Sequence, residues 1–198
     1  METFEAISRR RSIRSFHSDP VPKEHIEKIL QAAILSPSSK NRQPWRFVVA
    51  LGESKSGMIA AMKKGISAEK TGSGLLPNYA QHISGAENTL RAMEEAPVTV
   101  FVLNNEESFL LRDSNFEDRI FDICNIQSIG ASIQNMLLAA EDIGLGSLWI
   151  GDIFFAYNEL LEWLGEKDQL IAAISFGYPG ESPAARPRKK FDELVRWM

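Results

Sequence analysis

Two short segments, far apart in the sequence, carry closely spaced arginines. Residues 10–14 read RRSIR and residues 186–188 read RPR. Clustered guanidinium groups and a hydroxyl suit a phosphate monoester, which carries about −1.5 to −2 charge at neutral pH and accepts paired hydrogen bonds. Basic residues at the exposed end of a helix give the same pattern, because they interact favourably with the helix dipole. Taken alone, the segments favour this second interpretation, and the first stays open.

The distribution of charge bears on the same question. The chain of 198 residues has a formal net charge of −4, yet residues 1–16 and 182–198 hold nine of its 22 Lys and Arg residues and only four of its 26 Asp and Glu residues. These two end segments therefore carry +5, and the rest of the chain carries −9. A general nucleic-acid binder is more often basic overall, and a disordered chain would not be 44% hydrophobic. We expect a folded protein that does not bind nucleic acid.

A polar loop is predicted over residues 36–45, which read SPSSKNRQPW. Its short hydroxyl and amide side chains could bind a polyol or the edge of an amide, and Trp45 could close a pocket beside them. The same composition is that of an ordinary loop between a helix and a strand. The order of the residues, rather than their composition, makes the segment specific.

Three glycines lie in residues 144–151, which read GLGSLWIG. Their spacing is not GxGxxG, the segment follows a helix rather than joining a strand to a helix, and GxxxxGK[ST] does not occur in the chain. A Rossmann or P-loop nucleotide site is therefore excluded. The simplest interpretation is a helix C-cap, a turn, and a glycine where another group approaches the backbone of a strand.

Neither a metal site nor a side-chain nucleophile is expected. The three histidines share no metal-ligand spacing, and Cys124, the single cysteine, lies in an apolar helical pattern that is typical of a core position. One cysteine also excludes an internal disulfide and suits a reducing compartment. No apolar run approaches the roughly 20 residues that cross a bilayer. We expect a cytoplasmic protein with no membrane contact.

The periodicity of apolar residues predicts the elements that must position these groups. The longest is an almost uncharged helix over 120–143, which Gly144 would cap and which must be covered all round, within one domain or across a subunit interface. Residues 65–85 contain four glycines and a proline and are predicted to be a loop or lid. The other predicted helices are 3–10, 22–36, 54–64, 86–95 and 158–164, and the predicted strands are 45–51, 98–103, 147–150 and 170–176.

In this order and at these spacings, the segments resemble the nitroreductase family of FMN-dependent oxidoreductases. The resemblance implies an α+β fold, with helices around a central, mainly antiparallel sheet, in an intertwined homodimer. It implies one FMN-binding domain over 1–198, with 178–198 as a C-terminal arm on the partner and 65–85 as a variable loop or lid. The matching segments are 10–14, 37–45, 144–151, FGYP at 176–179, and 186–188.

The resemblance also implies a set of FMN-binding residues at the subunit interface. No side chain is expected to be catalytic, because the cofactor carries the chemistry, and Asp152 receives no role. The phosphate would be held by Arg10, Ser12, Arg186 and Arg188, with Arg11 beside them. The pyrimidine edge would meet Arg14, with Asn88 and Arg91 near O2 and N1. The ribityl chain and ring would meet Pro37, Ser38, Ser39 and Asn41 of the partner subunit, and N5 and O4 would meet Gly151 and the backbone of Ile150.

By this resemblance, the chain passes reducing equivalents from NADH or NADPH, through flavin N5, to a nitroaromatic, a quinone or a related small-molecule acceptor by a ping-pong mechanism. One alternative is a specialised member of the same fold, such as a dehalogenase, a desaturase or a flavin-fragmenting enzyme. The other is a non-catalytic module that binds anions through its basic ends, which the −9 charge of the remaining chain disfavours.

Overall fold

Four antiparallel strands form the centre of the fold, and helices cover both faces of the sheet. The structure is a computed structural model, which describes residues 2–106 and 115–198. The strands are β1 (Trp45–Leu51), β2 (Val98–Asn104), β3 (Gly146–Ile150) and β4 (Gln169–Gly177), in the spatial order β1-β2-β4-β3. All three pairings are antiparallel, so the predicted sheet type and α+β class are confirmed.

The helices match the predicted positions closely at most of their ends. Three short 3-10 segments, Ser39–Asn41, Pro77–His82 and Asp152–Ala156, lie between them. The helices are α1 (Thr3–Arg9), α2 (Lys23–Ile34), α3 (Ser54–Lys70), α4 (Ile83–Glu95), α5 (Phe116–Asp142), α6 (Tyr157–Leu164) and α7 (Phe191–Leu194).

The alternation of side chains along β2 separates two hydrophobic cores. Val100 and Val102 pack with α2 and α5 on one face of the sheet, while Phe101 and Leu103 pack with α3, α4 and α6 on the other. Every residue of β2 is buried because the strand is internal and both of its faces are covered. The result is a three-layer arrangement with the sheet in the middle.

The long helix α5 begins at a capping box in which Asn115 and Asp118 satisfy each other's backbone N–H groups. It runs for 27 residues, about 40 Å, and ends before Gly144, whose φ of +80° confirms the predicted cap. One face of α5 packs on the sheet and α2, but Phe116 and Ile123 are 77% and 49% exposed. A single chain therefore leaves part of this apolar helix uncovered.

The predicted loop over 65–85 is wrong at both of its ends. Helix α3 continues to Lys70 and α4 already begins at Ile83, so the non-α-helical stretch is 71–82. Gly65 suggested a helix break, but it is a packing glycine, because a Cβ there would overlap the backbone of Ala156. The buried carboxylate of Glu69 accepts the backbone N–H groups of the turn that follows, which orders it. A lid function for this stretch stays a prediction.

The C-terminal segment extends over the outside of the molecule. Residues 184–198 are all exposed, among them the apolar side chains Phe191, Leu194 and Trp197, and the short helix α7 was not predicted. The sequence pattern predicts neither a helix nor a strand over 104–119, and part of that segment, residues 107–114, lies outside the described residues. Among the residues that are described, no helix is long and apolar enough to cross a membrane.

Replacing Gly65 with alanine should lower the free energy of unfolding by about 1–3 kcal/mol, because the added methyl group overpacks the contact with Ala156. The matched control is Gly85→Ala in α4, where no described atom lies within 4 Å of the added Cβ. Alanine should stabilise that helix by up to about 1 kcal/mol. Urea unfolding of both variants without added cofactor tests this, and stabilisation by Gly65→Ala would contradict the close packing.

Candidate functional site

The two arginine segments meet at one pocket. Its volume is about 120 Å³, and residues 10–14 line one side while residues 183–188 line the other. We call it the arginine pocket. Its cationic and hydroxyl lining groups are Arg10, Arg11, Ser12, Arg14, Arg186 and Arg188. The fold thus brings together all six residues that the resemblance assigns to the phosphate and to one pyrimidine contact.

An antiparallel contact between residues 14–17 and 178–181 aligns the two sides of the pocket. The backbone N–H of His17 donates to the carbonyl of Tyr178 at 3.0 Å, and the N–H of Gly180 donates to the carbonyl of Ser15 at 2.9 Å. The carboxylate of Glu181 accepts the backbone N–H of Arg14 at 2.5 Å. These bonds fix the chain only a few residues before Arg186 reaches the pocket.

The N-terminal segment is itself tied to the body of the protein. The N–H of Ile13 donates to the carbonyl of Ser147 in β3 at 2.9 Å, and the N–H of Phe16 donates to the carboxylate of Glu95, at the end of α4, at 3.1 Å. The side chains of Ile13 and Phe16 are buried in the core that contains α3, α4 and α6. The arginine pocket therefore rests on a rigid edge of the sheet.

The arginines of the pocket differ in how far their donors are already used. The Nη1 of Arg11 donates to the carbonyls of Ser8, Arg9 and Arg10 at 2.7 to 2.9 Å and so caps the end of α1. Among the described residues, the side chains of Arg10 and Arg186 have no hydrogen bond or ion pair. These two guanidinium groups keep all of their donors for a ligand.

The polar loop has an unusual backbone. Lys40, Asn41 and Gln43 all have φ of +54°, a left-handed backbone conformation that residues other than glycine seldom adopt. The Oγ of Ser38 accepts the N–H of Gln43 at 2.9 Å, and the N–H of Ser39 donates to the Oγ of Ser128 in α5 at 3.2 Å. Backbone strain held in place by such bonds is often found at binding sites.

Arg42 fastens this loop to α5. Its guanidinium carbon lies 4.3 Å from the centre of the Phe121 ring, and its Nη1 donates to the Oδ1 of Asn125 at 3.4 Å. A cation over an aromatic face contributes about 0.5–1 kcal/mol at an exposed site. The resemblance gave Arg42 no role, and its contacts could not be found from the sequence because they join residues about 80 positions apart.

The loop and the arginine pocket lie at different positions along α5 within one chain. The loop contacts α5 at Ser128, whereas Arg9, next to the pocket, pairs with Glu141 at 3.4 Å. Thirteen helical residues separate these points, or about 20 Å. The loop also precedes β1 while Gly151 follows β3, the opposite edge strand, three strand spacings or about 14 Å away. One chain therefore does not bring Pro37, Ser38, Ser39 and Asn41 to the other predicted site residues.

Gly151 has no structural reason to be glycine within this chain. Its φ of −94° is ordinary, and a Cβ built there has no described atom within 4 Å. Ile150 before it is buried. A glycine whose missing side chain would point into open space is consistent with close approach by a ligand or by a second chain.

Asp152 connects the turn after Gly151 to α4. Its Oδ2 accepts a hydrogen bond from the hydroxyl of Thr89 at 2.5 Å. This contact provides the role that sequence reasoning did not find for Asp152. Asn88 neighbours Thr89 on α4, so the tie also fixes the position of that predicted site residue relative to Gly151.

Arg91 lies in a groove between α3 and α4. Its Nη2 donates to the Oδ1 of Asn88, and the groove of about 370 Å³ is lined by Arg91, Glu87 and Lys70, among others. The hydrogen bond from Lys70, and secondarily its charge, holds the pKa of Glu87 below its ordinary value. The structure thus joins Asn88 and Arg91 to each other, but it does not bring Arg91 to the arginine pocket.

Within the described residues, no cluster could hold a metal ion.

Comparison with known proteins gives consistent matches along most of the chain. The sequence profile described as the Nitroreductase family matches residues 7–178. An Archaeoglobus fulgidus protein, provisionally named NADH dehydrogenase/NAD(P)H nitroreductase, is 30% identical over 183 residues, which cover 90% of this chain and 86% of that protein.

Two solved structures share the fold over the full length of the chain. A BluB-like flavoprotein from Clostridium difficile 630 has a TM-score of 0.83 and 27% identity, covering 100% of this chain and 99% of that one. A Desulfovibrio desulfuricans protein, provisionally named nitroreductase and solved in complex with FMN, has a TM-score of 0.74 and 25% identity, covering 100% and 97%.

Replacing Lys40 with glycine should raise the free energy of unfolding by about 0.5–1 kcal/mol. Relief of the left-handed strain, about 1–2 kcal/mol, exceeds the entropy of about 0.4–1 kcal/mol that glycine adds to the unfolded chain. The matched control is Lys64→Gly inside α3, which should lower stability by about 1 kcal/mol. Thermal unfolding of both variants tests this, and destabilisation by both would contradict the left-handed backbone.

Proposed function

The chain belongs to the nitroreductase family, and on that premise we propose that it binds FMN and passes electrons from NADH or NADPH to a small aromatic acceptor. The observation that carries the proposal is the arginine pocket, where two basic segments more than 170 positions apart converge. A chain with a net charge of −4 concentrates cations in this way where an anion must be held. The names of the matched proteins support FMN and NAD(P)H as its partners.

The chemistry of the pocket fits the phosphate of FMN. Arg10 and Arg186 offer unused guanidinium donors, Ser12 offers a hydroxyl, and Arg188 adds a further cation. Arg11 contributes charge, although its Nη1 already caps α1. Bidentate bonds from guanidinium to phosphate are among the strongest hydrogen bonds that side chains make. The proposal therefore assigns the phosphate to this group of residues.

The ring of FMN is assigned to the edge of the sheet near Gly151. When bound, FMN accepts a hydride from the nicotinamide and delivers electrons to the acceptor. The backbone N–H of Gly151 would donate a hydrogen bond to N5 of the ring, and Ile150 would lie behind Gly151. Arg14, with Asn88 and Arg91 as further candidates, would place positive charge at the pyrimidine edge, which favours the reduced, anionic ring.

A second copy of the chain would complete the site. Pro37, Ser38, Ser39 and Asn41 lie too far from the arginine pocket to serve the same site within one chain. The uncovered side chains of α5 and the exposed apolar residues of segment 178–198 support a homodimer in which each copy covers the other. We therefore assign the loop at each site to the partner subunit, and we assign 1–198 to one domain whose C-terminal arm lies on that partner.

The acceptor is proposed to be a nitroaromatic, a quinone or a related planar compound. Phe154, in the turn after Gly151, is 39% exposed and stacks on Tyr157 with a ring-centre distance of 6.0 Å, which provides an aromatic wall. If nicotinamide and acceptor use one slot in turn, the kinetics are ping-pong.

The single cysteine supports a cytoplasmic location.

A second candidate is a specialised member of the same fold, such as a dehalogenase, a desaturase or a flavin-fragmenting enzyme. The stretch 71–82, whose backbone the carboxylate of Glu69 orders, is the observation that supports this candidate, because such enzymes need a segment that covers the ring. Closure of residues 71–82 over the ring for one specific substrate would support it. Rapid turnover of many unrelated quinones would support the first candidate instead. A non-catalytic anion-binding module fits neither the family nor the negative charge of the middle of the chain.

Replacing Arg10 or Arg188 with alanine should weaken FMN binding about 10- to 100-fold, because each change removes charge-assisted hydrogen bonds to the phosphate. Arg196→Ala removes the same charge from the same C-terminal segment but lies outside the pocket, so FMN affinity should stay unchanged. Fluorescence titration of apoprotein with FMN measures the dissociation constants of the wild type and the three variants. Unchanged affinity in both pocket variants, or a wild-type protein that does not bind FMN, would contradict the proposal.

Gly151→Ala should leave the stability of the apoprotein unchanged, since the added methyl group meets open space within the chain. It should nevertheless weaken FMN binding, or slow anaerobic bleaching of the flavin by NADPH, at least tenfold, because the methyl group blocks the approach of the ring to the backbone. Stopped-flow absorbance and apoprotein unfolding are the two measurements. Wild-type flavin binding and reduction rates in this variant would show that the ring does not lie there.

A further inference from the structure

An acidic residue, Glu181, lies directly beside the arginine pocket. It lines a neighbouring cavity of about 330 Å³ that shares Arg11 and Pro183 with the arginine pocket. Unlike-charge attraction would draw its carboxylate to the arginines, and like-charge repulsion would oppose a bound phosphate. By charge alone, Glu181 therefore weakens the binding of an anion. Its presence at this position calls for a role that does not depend on charge.

The contact of Glu181 indicates what that role is. Its Oε1 accepts the backbone N–H of Arg14, so a side-chain oxygen rather than a main-chain carbonyl satisfies this donor. The neighbouring bonds of the same contact are Gly180 to Ser15 and His17 to Tyr178. Glu181 thus adds a side-chain bond at the end of this contact nearest to the pocket.

The chain between this bond and the arginines is short. Four residues separate Glu181 from Arg186, and one of them is Pro183, whose ring fixes φ. A displacement of Glu181 would therefore move Arg186 with it. Without the bond to Arg14, the C-terminal segment could pivot after Gly180, and the two sides of the pocket would lose their alignment.

We propose that Glu181 is a positioning residue for the phosphate site, which it serves by accepting the N–H of Arg14 and so holding residues 186–188 opposite residues 10–12. The proposal rests on the proposed function, because it assumes that the phosphate of FMN binds in the arginine pocket. Glu181 itself does not touch the phosphate. Its hydrogen-bond acceptor is required, and its negative charge is not.

Two substitutions at this position separate geometry from charge. Glu181→Gln keeps an oxygen acceptor and removes the charge, so FMN should bind with unchanged affinity or up to a few-fold more tightly. Glu181→Ala removes both, and FMN should bind about tenfold more weakly because the alignment is lost. If charge alone mattered, both variants would bind FMN more tightly than the wild type. The sign of the change in the alanine variant therefore decides between the two explanations.

The measurement is fluorescence titration of apoprotein with FMN for wild type, Glu181→Gln and Glu181→Ala, each also in a background with both Arg186→Ala and Arg188→Ala. If Glu181 acts by positioning the arginines, Glu181→Ala should cost much less affinity once Arg186 and Arg188 are absent. Because Glu181 is exposed, both variants should keep the fold, and the thermal midpoint of the apoproteins checks this.

Three outcomes would overturn the inference: wild-type or tighter binding in Glu181→Ala, equal weakening in Glu181→Gln and Glu181→Ala, or a full effect of Glu181→Ala when both Arg186 and Arg188 are absent. These outcomes are distinct from failure of the proposed function. In that case, the wild-type protein itself would not bind FMN, whatever stands at position 181.

Discussion

The antiparallel contact between residues 14–17 and 178–181 is the interaction on which the proposed site depends. A phosphate of about −1.5 to −2 charge needs several fixed cations, whereas the middle of this chain, residues 17–181, carries a net charge of −9. The contact joins the two basic ends at one edge of the sheet and so brings their cations together. Ile13, bonded to β3, and Phe16, bonded to Glu95, give that junction a rigid base.

The three-layer fold also explains why one chain brings together only part of the proposed site. The polar loop precedes β1, and Gly151 follows β3, so the two groups lie at opposite edges of the sheet. The strained loop is nevertheless fixed, with Arg42 stacked on Phe121, as expected of a surface prepared to meet a ligand. A two-fold pairing of chains would place the loop of each copy at the ring edge of the other and would cover the exposed part of α5. The incomplete site and the uncovered helix thus have one explanation.

Features that depend on local pattern could be predicted from the sequence. The apolar run of β2, the helical spacing in α5 and the cap at Gly144 each follow from neighbouring residues, and the structure agrees with them. Gly65 misled the prediction, because a glycine that breaks a helix and a glycine that packs closely against Ala156 look the same in sequence. The contacts of Glu181 with Arg14 and of Thr89 with Asp152 could not be predicted, since they join residues 167 and 63 positions apart.

The central claim, that each site takes its phosphate grip from one copy and its loop from the other, can be tested with mixed dimers. One chain would carry Arg10→Ala, and the other would carry a change in loop 37–41 chosen because its own homodimer binds no FMN. If each FMN site draws on both chains, one site of the mixed dimer carries both defects and the other site carries neither. We therefore predict one FMN per mixed dimer that binds as tightly as in the wild type. A mixed dimer in which both sites bind FMN as weakly as in the two defective homodimers would contradict this, because every site would then draw both parts from a single chain.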